Sequence, residues 1–320
     1  MNTNSVLPAR SPAIAWLKLV RVHFIPLSLT SGLAGYVLAE HGPTLASALL
    51  GLAVCTSGYG IGVIVNDFAD RRADAINAPD RPLVSGEINP NLALAAVAVS
   101  VVAVAGAAAV LAPSVAIWGV VALAGHIVYQ ATKGTPMVGN VVNGIDLALF
   151  TLVGAAAGAP GRAWYDVAPH ALIAAGVFAI MLSGFCLVGY FKDVPGDSVA
   201  GYRTLPVALG PRRASWFALP WPFAATAAAI VAATTTLGGS AAFWVFVVAS
   251  TVAAVVSMRH LIGDPERRYY EALLWYIRAT VLLMLALGAT VRPWLFVGVA
   301  LPMLVFLELT LRTTRGTGRA

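Results

Sequence analysis

Apolar residues in this chain come in long blocks, and polar residues are confined to the short stretches between them. A membrane-spanning helix needs about 20 predominantly apolar residues in succession. By that measure ten blocks stand out: Val20–Ala39, Thr44–Val65, Asn91–Leu111, Ser114–Gln130, Val138–Gly158, Pro169–Tyr190, Ser215–Leu237, Ser240–His260, Glu271–Ala289 and Pro293–Leu311. The last is the weakest as a full span. None alternates polar with apolar positions as a membrane barrel strand would, so helices are predicted throughout. The expected fold is an all-α integral membrane protein, a bundle of nine to ten transmembrane helices with cytoplasmic Asp-rich loops. It forms a single polytopic domain over residues 1–320. A faint pseudo-repeat of four-helix units, at about 20–130 and 138–260, is suggested because one Asp-rich stretch follows the second block and another follows the sixth.

Composition sharpens this picture. The chain is 59% hydrophobic and 11% charged, about half the charged share of a soluble domain. Lipid must cover most of its surface, with backbone groups satisfied inside helices. The net charge of +6 does not point to nucleic acid, because the basic residues sit at block ends where the positive-inside rule places them. Of the 20 Lys and Arg, all but Arg162, Arg278 and Arg292 fall on one side of the predicted topology. That puts both termini and the Asp-rich loops in the cytoplasm, favours an even number of helices, and suits a cell inner membrane. The N-terminus does not read as a cleavable signal, since its first block is of spanning length and many follow. Cys55 and Cys186 lie within blocks, with neither disulfide nor metal spacing, and read as small buried residues.

Two interruptions carry the chemistry. The first is "VNDFADRRADAINAPDRPLVSG", Val65 to Gly86, and the second is "YFKDVPGDSVAGYRTLPV", Tyr190 to Val207. Asp67, Asp70 and Asp74 share one face if helical, as do Asp193 and Asp197, although Pro195 and Gly196 disturb the second pair. Asn66 stands beside the first set. Aligned carboxylates at a membrane boundary repel one another, because water screens them poorly there. Mg²⁺ suits such a site, being a hard cation that shares carboxylate and phosphate oxygens. The remaining negative charge of a diphosphate calls for cations, and Arg71, Lys133, Lys192 and Arg203 lie on the same side.

These residues also carry a resemblance. Asn66-Asp67-x-x-Asp70-x-x-x-Asp74 resembles the first Asp-rich motif of the UbiA-type intramembrane prenyltransferases, and "NAPDRPLVSG" is similar to the stretch that follows it. "FKDVPGD…GYRTLPV" resembles the second motif, with Asp193 and Asp197 in the metal-binding places. Arg21 in "LKLVRVHF" is similar to an arginine of the family's first helix, and "KGTPMVGN" (Lys133–Asn140) to the loop before its fifth. The likeness extends from about Lys18 to Gly210. Three features depart from it. The second motif is shorter by one carboxylate than the form "KDxxDxxGD", Val22 replaces a common Pro, and the tenth block exceeds the usual nine helices.

The resemblance implies a Mg²⁺-dependent prenyltransferase, moving a prenyl group from a prenyl diphosphate to a small lipophilic or aromatic acceptor, such as a quinone precursor, within membrane lipid. Asp67, Asp70, Asp193 and Asp197 are then the main metal ligands, with Asp74 and Asn66 in support. Lys133, Lys192 and Arg203 hold phosphate oxygens, Arg71 adds charge nearby, and Arg21 faces either the diphosphate or the acceptor. Asp146 lies inside the fifth block, where an ionisable group is a functional candidate by default. It orients an acceptor hydroxyl, stabilises the allylic cation, or joins helices through Asn140 and Asn143. Tyr190 either stacks on the cation or anchors the interface. His23 and His126 read as packing or interfacial residues, and Arg278 as a pathway residue or a snorkelling one. Two other activities fit the same motifs less well: a terpene cyclase on the same scaffold, and a cation-coupled transporter, whose sites usually lie near the membrane midplane.

Overall fold

The structure, a computed structural model, describes residues 11–39 and 44–315, with side chains through residue 312. Arg10, Arg319 and the whole of the Glu40–Pro43 connection lie outside the described residues. Every regular element within them is helical. In chain order these are α1 (Pro12–Leu19), α2 (Ile25–Leu38), α3 (Leu45–Ala69), α4 (Arg71–Asn77), α5 (Pro82–Ser85), α6 (Pro90–Leu111), α7 (Pro113–Thr132), α8 (Val138–Gly158), α9 (Pro169–Gly189), α10 (Val194–Ala200), α11 (Leu205–Leu209), α12 (Pro211–Ala218), α13 (Pro220–Ala232), α14 (Ala241–Gly263), α15 (Tyr269–Ala289) and α16 (Pro293–Arg315). Proline opens α1, α6, α7, α9, α12, α13 and α16. It fits there because the first helical N–H has no intrahelical partner to lose.

Nine helices among the described residues are long and apolar enough to cross a membrane, and a bent pair brings the number to as many as ten. That pair is the first block. It was expected as one run from Val20, but α1 and the following segment meet at 43°. Arg21 takes a left-handed backbone (φ 48, ψ 59) and Val22–Phe24 form one 3₁₀ turn. A left-handed non-glycine residue costs roughly 1–2 kcal/mol, so this break is held by contacts elsewhere. The seventh block is also interrupted. Pro220 and Pro222 lack N–H donors, the helix is divided at Leu219, and a π turn, Ala233–Leu237, closes the span.

The bundle is layered by exposure. α15 is almost wholly buried, α8 and α9 are largely so, and α6 and α7 turn most of their surface outward. α8 packs on α2, α3, α7 and α9, and α15 packs on α2, α9, α14 and α16. Small residues set the closest approaches. Gly35 lies against the Thr151 carbonyl, and Gly154 against the Gly32 carbonyl, so closely that a Cβ at either would enter the carbonyl oxygen. The α2–α8 contact is completed by Ser31 and Thr151, whose hydroxyls are 2.7 Å apart. Three serines stitch α14 to α15 and the end of its span: Ser240 donates to Ala289 O, Ser250 to Ala279 O and Ser257 to Ala272 O, each at 2.7 Å. Such bonds join helices where lipid offers no hydrophobic driving force. Arg278 is held in an ion pair between helices. Its Nε and Nη2 donate to the two carboxylate oxygens of Glu308 at 2.6 and 2.8 Å, and Nη1 donates to Leu274 O. This fork joins α15 to α16.

Candidate functional site

The first acidic stretch begins inside α3 and continues past its end. Ala69 ends the helix, yet Asp70 N still bonds to Asn66 O and Asp74 N to Asp70 O. The helical register therefore carries through into α4, and the three aspartates keep nearly the relation their spacing requires. The second stretch leaves α9 through a 3₁₀ turn, Tyr190–Asp193, and re-forms as α10. Gly201 ends α10 in the left-handed conformation (φ 80) that glycine adopts freely. The chain then doubles back, with Tyr202 N bonded to Asp197 O and Arg203 N to Gly134 O.

Side-chain hydrogen bonds fasten the two stretches together. Asn77, at the end of α4, donates Nδ2 to Asp193 O at 3.0 Å and accepts from Gly196 N at 2.7 Å. Gly196 lies directly against the Ala73 carbonyl, where a Cβ would not fit. The result is a cavity of about 140 Å³ whose wall includes Asp70, Asp74, Asp193 and Asp197, with Asn66, Asn77 and Thr204. Thr204 donates to Asp197 at 3.2 Å.

Four aspartates here are each matched with a cation. Arg21 bonds Asp67, and Arg81 bonds Asp74 and reaches Asp67 at 3.3 Å. Lys133 bonds Asp70, and Lys192 bonds both oxygens of Asp193 at 2.7 and 2.9 Å. Burial holds the Asp74 carboxyl above the usual carboxylate range, against the pull of Arg81. Tyr202 donates to Asp70 at 3.1 Å, and burial together with Asp70 pushes its phenol up to about 12. The donors that face the cavity are hard oxygens, the kind Mg²⁺ prefers. Among the described residues, no three His, Cys, Asp or Glu side chains converge as a ready-made metal cage. The donor chemistry fits the ion, and the cations now on the carboxylates would have to yield to it.

A second cavity, of about 300 Å³ and mostly apolar, opens from the first. The two share Arg21, Phe24, Asn66, Tyr129, Asn143 and Phe185. Phe24 and Phe185 meet edge to face at 5.6 Å. Beyond this neck the walls are aliphatic, with residues such as Val54, Val104, Ala108, Leu123 and Phe150. A line of polar side chains on α7 runs along the same wall. Lys133 donates to Gln130 Oε1 at 2.7 Å, and Gln130 Nε2 lies 3.1 Å from both Asn66 Oδ1 and His126 Nε2. His126 Nδ1 lies 3.1 Å from Asp146 Oδ2.

The predicted residues divide accordingly. Asn66, Asp70, Asp74, Lys133, Tyr190, Lys192, Asp193 and Asp197 line the polar cavity, and Asp146 lines the apolar one. Arg21 lines both, where the two cavities meet. Asp67, expected as a principal ligand, is 2% exposed and lines neither cavity; it sits behind the wall between two arginines. Arg71 turns back onto its own helix end, with Nε on Phe68 O at 3.0 Å and its guanidinium over the Phe68 ring. Arg203 is exposed and lines neither cavity. Asn140 and Asn143 do not partner Asp146. They donate instead to Ser183 O and Cys186 Sγ across the α8–α9 interface. His126, expected as a packing or interfacial residue, is the partner of Asp146. Arg81, Asn77, Gln130 and Tyr202 were not singled out. The first three carried a sequence signal in that each sits three or seven residues from a residue already chosen: Arg81 and Asn77 from Asp74, Gln130 from Lys133.

Comparison with known proteins agrees with this architecture. The UbiA prenyltransferase family model matches residues 28–270. The digeranylgeranylglyceryl phosphate synthase of Methanoculleus marisnigri is 33% identical over 209 residues, 64% of this chain and 71% of that protein. The protein of the same name from Halobacterium salinarum is 36% identical over 159 residues, 48% of this chain and 53% of that one. The chain thus spans only about half the length of that second relative. Among solved structures, the apo form of a UbiA homologue from Aeropyrum pernix superposes with a TM-score of 0.72 at 22% identity, covering 84% of this chain and 97% of that one. A UbiA homologue from Archaeoglobus fulgidus bound to GPP and Mg²⁺ superposes with a TM-score of 0.59 at 18% identity, covering 87% and 99%.

Proposed function

The chain belongs to the UbiA prenyltransferase family, and on that premise we propose that it transfers the prenyl group of an allylic diphosphate to the hydroxyl of a lipophilic acceptor, with Mg²⁺ as cofactor and the acidic mouth on the cytoplasmic side of the membrane. The observation that carries this is the joining of a polar cavity walled by Asp70, Asp74, Asp193 and Asp197 to an apolar one of about 300 Å³. A diphosphate suits the first and an isoprenoid tail the second. The Archaeoglobus relative holds a prenyl diphosphate and Mg²⁺, which supports the same pairing of ligands here.

Asp70, Asp74, Asp193 and Asp197 are the residues that would hold the metal, with Asn66 beside them. When bound, Mg²⁺ neutralises the diphosphate and stabilises it as a leaving group. Arg81, Lys133 and Lys192 would then exchange Asp74, Asp70 and Asp193 for phosphate oxygens, and Arg21 would offer phosphate its remaining N–H groups, since each already lines this cavity. Asp67 keeps Arg21 and Arg81 in place from behind. The C1–O bond breaks at the neck, where Phe24, Tyr129 and Phe185 present aromatic rings to the allylic cation. The aliphatic wall keeps out the water that would quench it.

For the acceptor, the names of the curated relatives favour a glyceryl phosphate lipid over the aromatic or quinone precursor suggested by the motifs. The test is product analysis of the purified protein with allylic diphosphates of several lengths, Mg²⁺, and a panel of glyceryl phosphate lipids and hydroxylated aromatics. A coupled product that needs both Mg²⁺ and acceptor is expected. A cyclic hydrocarbon or cyclic terpene alcohol formed without acceptor would replace transfer by cyclisation. No Mg²⁺-dependent loss of diphosphate with any donor would refute an enzyme of this class.

A further inference from the structure

Coupling an alcohol to an allylic cation releases a proton, and the apolar cavity contains one group suited to receive it. Among the described residues, Asp146 is the single carboxylate on that cavity's wall. It lies one helical turn beyond Asn143 at the neck, about 4.5 Å along α8. Its hydrogen-bonding state is fixed from outside the cavity. Lys133 has only protons to give, so the Gln130 atom it bonds is an acceptor oxygen. That orientation turns the Gln130 NH₂ towards Asn66 Oδ1 and His126 Nε2. His126 Nε2 must then accept, which leaves the ring proton on Nδ1, donated to Asp146 Oδ2 at 3.1 Å. Asp146 Oδ1 has no hydrogen-bond partner among the described residues. It rests against Gly125, where a Cβ would come within 2.9 Å of it. The line from Lys133 to His126 thus orients the carboxylate and leaves one oxygen free for a ligand.

Resting on the transfer reaction above, we propose that Asp146 is the catalytic base for the acceptor hydroxyl, and that His126 and Gln130 are positioning residues that hold it for this task. The balance is simple. The donor C1–O bond breaks and its electron pair leaves with the diphosphate. A lone pair of the acceptor oxygen forms the new C1–O bond, and the acceptor O–H proton passes to Asp146 Oδ1. Asp146 gives it up to solvent as the product leaves. His126 holds the carboxylate through one N–H, and no charge need form on the ring.

The test compares Asp146→Asn with the unsubstituted protein, using an allylic diphosphate, Mg²⁺ and the alcohol acceptor found active. The readout is the ratio of coupled product to free prenyl alcohol, the product of water capture. Positioned acid–base groups contribute about 10²–10⁴-fold, so this ratio should fall by about 10²-fold or more. An acceptor with a thiol in place of the hydroxyl brings its own readily lost proton, and should restore most of the ratio. An unchanged ratio overturns the proposal. So does loss of pyrophosphate release in step with product, since Asp146 would then serve ionisation. If Asp146→Asn does not fold, His126 supplies the test. His126→Asn retains a donor near the Nδ1 position and should keep the ratio within about tenfold, whereas His126→Phe should lower it towards the Asp146→Asn value. Equal ratios for the two overturn the positioning role. Failure of the unsubstituted protein to release pyrophosphate with Mg²⁺ is a separate result, and counts against the prenyl-transfer reading itself.

Discussion

Asn77→Ala tests whether the two acidic stretches act as one site. Among the described residues, Asn77 hydrogen-bonds backbone rather than an aspartate carboxylate. It bonds the backbone within the second motif, at Asp193 O and Gly196 N, at 3.0 and 2.7 Å. Each such bond has a net worth of about 0.5–1.5 kcal/mol, so the truncation removes about 1–3 kcal/mol of coupling between α4 and α10. At 1.36 kcal/mol per factor of ten, that corresponds to roughly a 5- to 150-fold weakening of whatever both stretches hold in common. The assay is pyrophosphate release at saturating donor, titrated with Mg²⁺. The Mg²⁺ concentration for half-maximal rate should rise by a factor in that range, and the rate at high Mg²⁺ should recover much of its original value. An unchanged Mg²⁺ dependence would refute the idea that α4 and α10 grip a common ion. A large fall in the thermal midpoint with no change in Mg²⁺ dependence would make Asn77 a purely structural tie.

Further tests reach other parts of the molecule. Arg81→Met leaves Asp74 buried without its cation, a loss of about 3–5 kcal/mol by precedent for broken buried pairs; adding Asp74→Asn should recover a good part of the thermal midpoint. Gly154→Leu drives a side chain into the Gly32 carbonyl and should cost about 1–3 kcal/mol or more, seen as lost folded yield. Gly176→Leu, where a Cβ meets nothing within 4 Å, should be tolerated. Arg278→Lys keeps the charge but loses the fork on Glu308. With the Glu308 side chain 41% exposed, less than about 1 kcal/mol is at stake, and product formation should not change. Chelation with excess EDTA should abolish pyrophosphate release, and Mg²⁺ should restore it.

The sequence alone determined the spans. Their length and composition leave a chain in lipid no other way to satisfy its backbone, and the helices α3, α6, α7, α8, α9, α14, α15 and α16 fall where the apolar blocks do. It also determined that Asp67, Asp70 and Asp74 share a helical relation, because register is local. Two breaks within blocks escaped it. Arg21 adopts a left-handed conformation that no residue pattern demands, and the π turn at Ala233–Leu237 has no local signature. Charge partners escaped it for a different reason. Which arginine meets which aspartate depends on residues 46 positions apart, as for Arg21 and Asp67, and Arg278 found its carboxylate 30 positions away on α16. The same holds for Asp146. Its depth in a span marked it as unusual, but a partner on the next helix, His126, and the chain of bonds back to Lys133 exist only once α7 and α8 pack. Backbone hydrogen bonding is settled within a few residues, so it can be read from a string. Pairing of buried charges is settled by which faces meet, and only the packed bundle decides that.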